Sequence, residues 1–453
     1  MPRWPRCDGP LRDWRTRRER VSPTCGPPPR TRSTPGRGGA MPARRMPSGT
    51  ESRDPTRVRH AILAVAAYRG FVEAIPGTSA AFVAESFALD EPALARVMAW
   101  VALASAGAVF LGRLFDVRGR RPVLVACVGA VPALALATAV SPSLAGYLAA
   151  QIPLFALVTA ILAGAGVVIA ETIPDARRAA ALAHVGLADA VGGGLAILAM
   201  PIAAELPGTW RWLWWLAVIP VAGLGALRRA VPETPHFERR DALVGLKAIF
   251  ASHRGRALHL VGALTLIQVA FGGLLFWPYY HAVEEAALSP ALASAVVIVG
   301  GGVSLIGWVV GGRLAERIGR RLTAFVGTLG SVAAGAAYYL AGEESSAFAL
   351  CGAYALFLGT NALALLATQT ATLELFPTEV RASAATAYAA LAASGAFAAQ
   401  LAAAALATPL GGLSAAVAAL GLLAVPGVLW FALALPETRG GSLGGGASTE
   451  AGR

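Results

Sequence analysis

The sequence predicts an all-α polytopic membrane protein whose twelve transmembrane helices form two homologous six-helix bundles. Three observations carry this. The 453 residues are 56% hydrophobic and only 14% charged, against about 25% charge in an ordinary soluble domain. From Arg57 onward the apolar residues fall into runs long enough to cross a bilayer at about 20 residues per helix. Three short motifs recur in the same order in both halves of the chain. Too few polar side chains exist to cover a globule, which excludes a water-soluble enzyme, a disordered chain and a disulfide scaffold.

The first segment, residues 1–56, contains no apolar run, so it is neither a span nor a signal-peptide core. Ten prolines lie within its first 50 residues, and residues 1–40 hold ten arginines against Asp8, Asp13 and Glu19. A disordered basic tail is expected. Met41 and Met46 offer later start sites, and an inert tail or a mis-called start is favoured over a segment held at anionic lipid headgroups. Because the net charge of +12 is concentrated in this tail, it does not point to nucleic acid. Of the four cysteines, Cys7 and Cys25 lie in the tail and Cys127 and Cys351 inside apolar runs. Their spacing fits neither a metal site nor a disulfide framework, so no metal or cofactor is expected.

The spans follow at 58–84, 93–113, 122–140, 144–170, 179–203 and 211–231, then at 257–281, 289–312, 321–340, 346–373, 382–407 and 411–435. They divide the chain into a first bundle (57–231), a central loop (232–256), a second bundle (257–435) and a short tail (436–453). Each span is a helix because a bilayer-crossing segment must satisfy its own backbone hydrogen bonds. These runs are continuous, whereas a β-barrel would need short alternating strands. The loops after spans 2, 4, 6, 8 and 10 carry most of the loop arginines and the only lysine, Lys247, and the opposite loops only Arg96 and Arg211. The opposite loops carry Asp90, Glu91, Glu205, Glu284, Glu285, Glu343 and Glu344. The positive-inside rule then places both termini and the central loop in the cytoplasm of a cell membrane.

The repeat is explicit. Gly112-Arg-Leu-Phe-Asp116-Val-Arg-Gly119-Arg120-Arg121 after span 2 returns 200 residues later as Gly312-Arg-Leu-Ala-Glu316-Arg-Ile-Gly319-Arg320-Arg321. Glu171-Thr-Ile-Pro with Arg178 after span 4 returns as Glu374-Leu-Phe-Pro with Arg381, and Pro-Glu233-Thr as Pro-Glu437-Thr. Ordered matches at nearly one offset mean two halves of the same orientation, as in parallel repeats.

These motifs resemble those of the major facilitator superfamily, whose signature is a G-x-L-x-D-R-x-G-R-R-like loop after the second helix, often echoed after the eighth. Val117 stands where that pattern has Arg, and Glu316 where it has Asp. The Glu374 to Arg381 run and the closing Pro436-Glu-Thr-Arg-Gly are closest to the sugar-porter and metabolite:proton-symporter branches. The resemblance covers about residues 57–440. It implies alternating access between the halves. It also implies that Gly112, Arg113, Asp116, Gly119, Arg120, Glu171, Arg178 and Glu233, with Gly312, Arg313, Glu316, Gly319, Arg320, Glu374, Arg381 and Glu437, form a network that latches the cytoplasmic side. The alternative is that the arginines only set topology.

Polar residues deep in a bilayer are costly and usually face a cavity or a partner. Arg69 lies about 16 Å into span 1 at 1.5 Å per residue, and Glu73, four residues on, shares its face. The pair is either self-neutralising structure or a substrate and proton site. Asp189 lies at mid-depth in span 5 with no base within its own helix turn, and a carboxylate there can bind and release a proton. Gln268 in span 7 and Asn361 in span 10 are the preferred substrate contacts, with Gln369 and Gln400 as further candidates. Trp277 to His281 are read as interfacial anchors, Trp308 as packing, and the glycine groups 164–166, 192–194 and 300–302 as helix-crossing points.

The expected function is secondary active import of a small polar metabolite, a sugar or an organic acid, coupled to protons. A uniporter or an efflux carrier of the same fold is the alternative, and a non-transporting sensor is less favoured. An enzyme is not expected: no nucleophile–base set is evident, and Leu246 before Lys247 breaks any nucleotide-binding P-loop. The expected partners are the substrate, protons and membrane lipids, with the chain as a monomer and no nucleic acid.

Overall fold

The computed structural model of the chain describes residues 55–173, 175–231, 247, 249–377 and 380–439. The expectations for the basic tail, for most of the central loop and for Glu233 lie outside the described residues. We number the crossing helices in chain order. The first half holds α1 (Pro55–Phe87), α2 (91–118), α3 (Arg120–Ala139), α4 (Leu144–Thr172), α5 (Asp175–Ala204) and α6 (Arg211–Ala230). The second holds α7 (Arg254–Glu285), α8 (Pro290–Ile318), α9 (Arg320–Tyr339), α10 (Ala347–Glu374), α11 (Arg381–Leu410) and α12 (Leu413–Ala434). Ten of these, α3 to α12, are long and apolar enough to cross a membrane. α1, which carries Arg69 and Glu73, and α2, broken by a 3-10 turn at Ser105–Gly107, complete the twelve.

The helices begin where the sequence supplies caps. At the end rich in acidic loops, Asp90, Ser143, Ser289 and Ser346 each accept a hydrogen bond from the amide three residues on, at 2.8, 3.2, 3.4 and 3.2 Å. Each satisfies a helix-start N–H that would otherwise have no partner. At the arginine-rich end, the breaks between α2 and α3 and between α8 and α9 are single glycines. Gly119 and Gly319 both stand at φ 96°, a region that side chains with a Cβ avoid. The 200-residue repeat is therefore also a repeat of backbone conformation.

The packing repeats as well. α1 packs on α5 and α3 on α4 in the first half, as α7 packs on α11 and α9 on α10 in the second. Between the halves, α2 meets α11 and α8 meets α5, the same contact seen from either side of a pseudo-twofold axis. Two glycine pairs set close crossings at matching places in the two halves. A Cβ on Gly70 would lie 1.9 Å from the Asp189 carbonyl oxygen, and one on Gly192 would lie 1.8 Å from that of Ala67. In the second half, a Cβ on Gly272 would lie 2.6 Å from Ala396 Cα, and one on Gly395 would lie 2.7 Å from the Gln268 backbone. The obstacles are main chain, which cannot swing aside, so these helices touch backbone to backbone.

α7 is interrupted after Leu274 and resumes as a short turn at Pro278–Tyr280 and a π-helix at His281–Glu285. Trp277, Tyr279, Tyr280 and His281 are all buried. This corrects their reading as interfacial anchors. Trp277 Nε1 donates to Gln400 Oε1 at 2.6 Å, and the hydroxyls of Tyr338 and Tyr339 donate to the carbonyls of Pro278 and Leu274 at 2.7 Å each. These bonds satisfy backbone and side-chain groups that the break leaves unpaired within the bundle.

A matched pair of variants tests the crossing. Alanine gains about 1 kcal/mol of helix propensity over glycine. Gly194 has open space around its Cβ position, so Gly194→Ala is expected to hold or raise the melting temperature of the detergent-solubilised protein. Gly192→Ala must push α1 off α5, at a cost of about 1–3 kcal/mol for overpacking, and is expected to lower it.

Candidate functional site

The crossing of α1 and α5 places two sets of charges side by side. Arg69 and Asp189 flank the glycine contact, and each lies near the middle of its helix. Arg69 Nη1 is 3.0 and 2.9 Å from the two Asp189 carboxylate oxygens. The same nitrogen is paired with Glu73, one turn further along α1. Arg69 Nε donates to the Val158 carbonyl of α4 at 3.4 Å, and Tyr68 Oη donates to Ala217 O of α6 at 2.8 Å, which fixes the helix beside it. Two carboxylates thus share one guanidinium. Side-chain exposure rises along the cluster, from 8% for Arg69 to 21% for Asp189 and 44% for Glu73.

The sequence expectation paired Arg69 with Glu73 and gave Asp189 no partner. The structure supplies Arg69, 120 residues away in the chain. Helical spacing detects only partners on the same helix. The available signal was the pair of glycines, Gly70 and Gly192, next to the charges on both helices.

Across from this cluster lies a cavity of about 400 Å³ in the wall of the second half. Gln268, Phe271, Leu275 and Phe276 of α7 line it, with Trp308 of α8, Gln369 of α10, and Tyr388 and Ala392 of α11. Gly77 of α1 lies against the Phe276 carbonyl, where a Cβ would come within 3.2 Å. Glu73 is one turn before Gly77 and so shares the face of α1 that looks toward α7.

The repeat relates the two walls. Counting from the paired glycines, Arg69 and Glu73 correspond to Phe271 and Leu275, and Asp189 corresponds to Ala392. All three of these counterparts line the cavity. The same positions carry a charge cluster in one half and an apolar wall in the other.

The other predicted residues fall as follows. Asn361 is buried between α9 and α10, with Nδ2 3.4 Å from Ser331 Oγ. It is not among the cavity-lining residues. Trp308, expected as packing, lines the cavity, as does Gln369. Gln400 braces the α7 break, donating to Gly272 O at 3.3 Å while accepting from Trp277.

At the arginine-rich end, Arg320 donates from Nε and Nη2 to both oxygens of Glu374 at 3.1 and 3.0 Å, a two-pronged pair. Thr438 Oγ1 donates to the same carboxylate at 2.5 Å. Glu437 accepts the backbone N–H of Arg320 and of Arg321 at 2.8 and 3.0 Å. A Cβ on Gly319 would lie 2.6 Å from Glu437 Oε2, so the glycine makes room for the carboxylate that caps α9. This cluster lies within the second half. In the first half, Arg120 is buried beside Gly119, and Arg121 Nη2 donates to Arg228 O at 2.7 Å. The side chains of Gly112, Arg113, Asp116, Glu171, Arg178 and Arg381 lie outside those described. Gly312, Arg313 and Glu316 fall on the last turns of α8. Among the described residues, no group of histidines, cysteines and acids could hold a metal.

Two repeated six-helix bundles of membrane-crossing length, one of them carrying a cavity in its wall, fit the class of membrane transporters. The family model of the Major Facilitator Superfamily matches residues 62–400, and this chain belongs to that superfamily. Among solved structures it is similar to a D-xylose-proton symporter, with 17% identity, a TM-score of 0.69, and 86% of this chain and 99% of that chain covered. It is also similar to the xylose transporter XylE from E. coli in its inward open conformation (15%, 0.68, 86% and 98%). A mutant form of the nucleoside transporter NupG is comparably near (10%, 0.70, 84% and 100%). Identities this low establish the shared fold. No curated protein sequence matches the chain.

The α9 cap has a pH signature. Burial alone would raise the Glu437 carboxyl, but the N–H groups of Arg320, Arg321, Arg439 and Thr438 outweigh it and hold the group below the usual carboxylate range. Such a group stabilises the fold above its unfolded pKa, and that contribution is lost as pH falls through the lower folded value. Glu437→Gln is therefore expected to melt below wild type at neutral pH, with the gap closing in acid. Melting curves from pH 7 down through the carboxylate range check this.

Proposed function

We propose that the chain is a proton-coupled secondary carrier that moves a small, uncharged polar metabolite across the cell membrane by alternating access. The arginine-rich end would face the cytoplasm. The observation that carries this reading is the Asp189–Arg69–Glu73 cluster. With both acids ionised it bears one net negative charge in the middle of the crossing helices, where charge is expensive. One proton neutralises it. The cluster can therefore exist in two charge states without losing the pair that anchors it, and Glu73, the most exposed member, is the entry point for the proton. Asp189 holds the guanidinium in place while Glu73 is protonated and released.

The division of labour follows the repeat. The first half contributes the titrating cluster, and the equivalent positions of the second half form the substrate wall. There, Gln268 and Gln369 offer amide donors and acceptors, and Trp308, Phe271 and Tyr388 offer ring surfaces. Arg69 is already shared by two carboxylates, so it is a poor receptor for an anion. This favours a sugar over an organic acid. The fold shared with a protein titled a D-xylose-proton symporter supports the same choice. The arginine network is proposed to latch the cytoplasmic end when the cavity turns outward. In the present structure its Arg320, Glu374 and Glu437 members brace the second half.

Uptake into proteoliposomes tests the coupling. A panel of sugars and carboxylates is offered with and without an inward proton gradient. The gradient is expected to drive accumulation of a sugar by wild type. Glu73→Gln is expected to keep counterflow exchange but lose gradient-driven accumulation, and Asp189→Asn to weaken both. Accumulation that persists unchanged in both variants would overturn the role of the cluster.

A further inference from the structure

Of the helices that start at the acid-rich end, α6 and α12 have no side-chain cap from the residue before them. α2, α4, α8 and α10 each use the side chain of the residue just before them. α12 is preceded by Gly412, which has no side chain to offer and stands at φ 151°. Its first two N–H groups are capped from other helices. Glu91 Oε2 of α2 accepts Leu413 N–H at 2.7 Å, and Glu285 Oε1 of α7 accepts Ser414 N–H at 3.0 Å. Glu285 belongs to the same half as α12, but Glu91 belongs to the other. The second Glu91 oxygen, Oε1, accepts the Tyr280 hydroxyl of α7 at 3.3 Å.

Among the described residues, three hydrogen bonds join the halves toward the acid-rich end. Two are those of Glu91. The third is neutral: Ser294 Oγ of α8 donates to Ile197 O of α5 at 2.8 Å. Glu91 is therefore the one carboxylate among them, and both of its donors are in the opposite bundle. The positive end of the α12 dipole favours a carboxylate at this helix start, while burial and the neighbouring Glu285 and Glu284 carboxylates work against its charge and raise the Glu91 carboxyl above its usual range.

We propose that Glu91 is the latch of the acid-rich end: a carboxylate from the first bundle that caps the last crossing helix of the second and holds the two halves together there. When that end opens, both donors must leave it at once. The first N–H of α12 then loses its cap, and Glu91 exchanges two directed partners for water. The latch thus weights the conformational equilibrium toward closure at this end. The inference rests on the transporter fold and on these contacts, not on proton coupling, so it can fail while the Arg69 cluster stands.

The test measures distance, not transport. Spin labels are placed at Glu205→Cys in the first bundle and Glu343→Cys in the second, both exposed in loops at the acid-rich end. The full chain, with Cys7, Cys25, Cys127 and Cys351 replaced by serine, is studied in lipid nanodiscs by double electron–electron resonance. Two variants remove the bond from opposite sides. Glu91→Ala removes the acceptor. Leu413→Pro removes the donor at the first helical position, where proline is tolerated. Both are expected to raise the ratio of long to short distances by about three- to tenfold, the scale of one hydrogen bond. Glu91→Gln keeps the size and one acceptor, and is expected to fall between them and wild type. Distance distributions in folded Glu91→Ala or Glu91→Gln that superimpose on wild type would overturn the proposal.

Discussion

A charged side chain in the middle of a membrane helix must be neutralised on the spot, and in this protein that constraint is met by one guanidinium shared between two carboxylates. Arg69 meets Asp189 at the crossing of α1 and α5. They approach backbone to backbone because Gly70 and Gly192 leave no Cβ between them. The glycines, the charges and the helix pair are therefore one unit. The cluster needs the crossing for its geometry, and it gives the crossing a polar bond that bilayer lipid cannot replace.

Duplication explains how such a unit acquired a counterpart with different chemistry. The second half keeps the glycine crossing, through Gly272 and Gly395, and substitutes Phe271, Leu275 and Ala392 for the three charges. Shape is retained where helices touch, and composition diverges where they face the cavity. The arginine-rich end shows the same conservatism of shape in the matched turns at Gly119 and Gly319. At the opposite end the symmetry gives way. α7 is broken and its aromatic residues are buried, and the last helix borrows its caps from α2 and α7.

Much of the fold was legible in the sequence, because a bilayer imposes length and apolarity on each span and the repeat doubles every clue. The charged residues of the site were legible one at a time, since an arginine or an acid at mid-span stands out. Their association across helices was not: the pair of Arg69 and Asp189 is created by tertiary packing. Depth was readable, but direction around the helix was not. Asn361 and Gln369 lie on the same helix, yet one bonds Ser331 inside the bundle and the other lines the cavity. Composition also misled at Trp277 to His281, because aromatic residues near a span end suit a lipid interface and a buried helix break equally well.

One cluster with one surplus carboxylate is proposed to carry one exchangeable proton per cycle. The most direct measurement is the proton-to-substrate ratio, read as the reversal potential in proteoliposomes with opposed substrate and pH gradients. One proton per substrate molecule is expected, with a ratio of zero in Glu73→Gln. A wild-type ratio of zero or two, or a ratio of one that survives in Glu73→Gln, would contradict it.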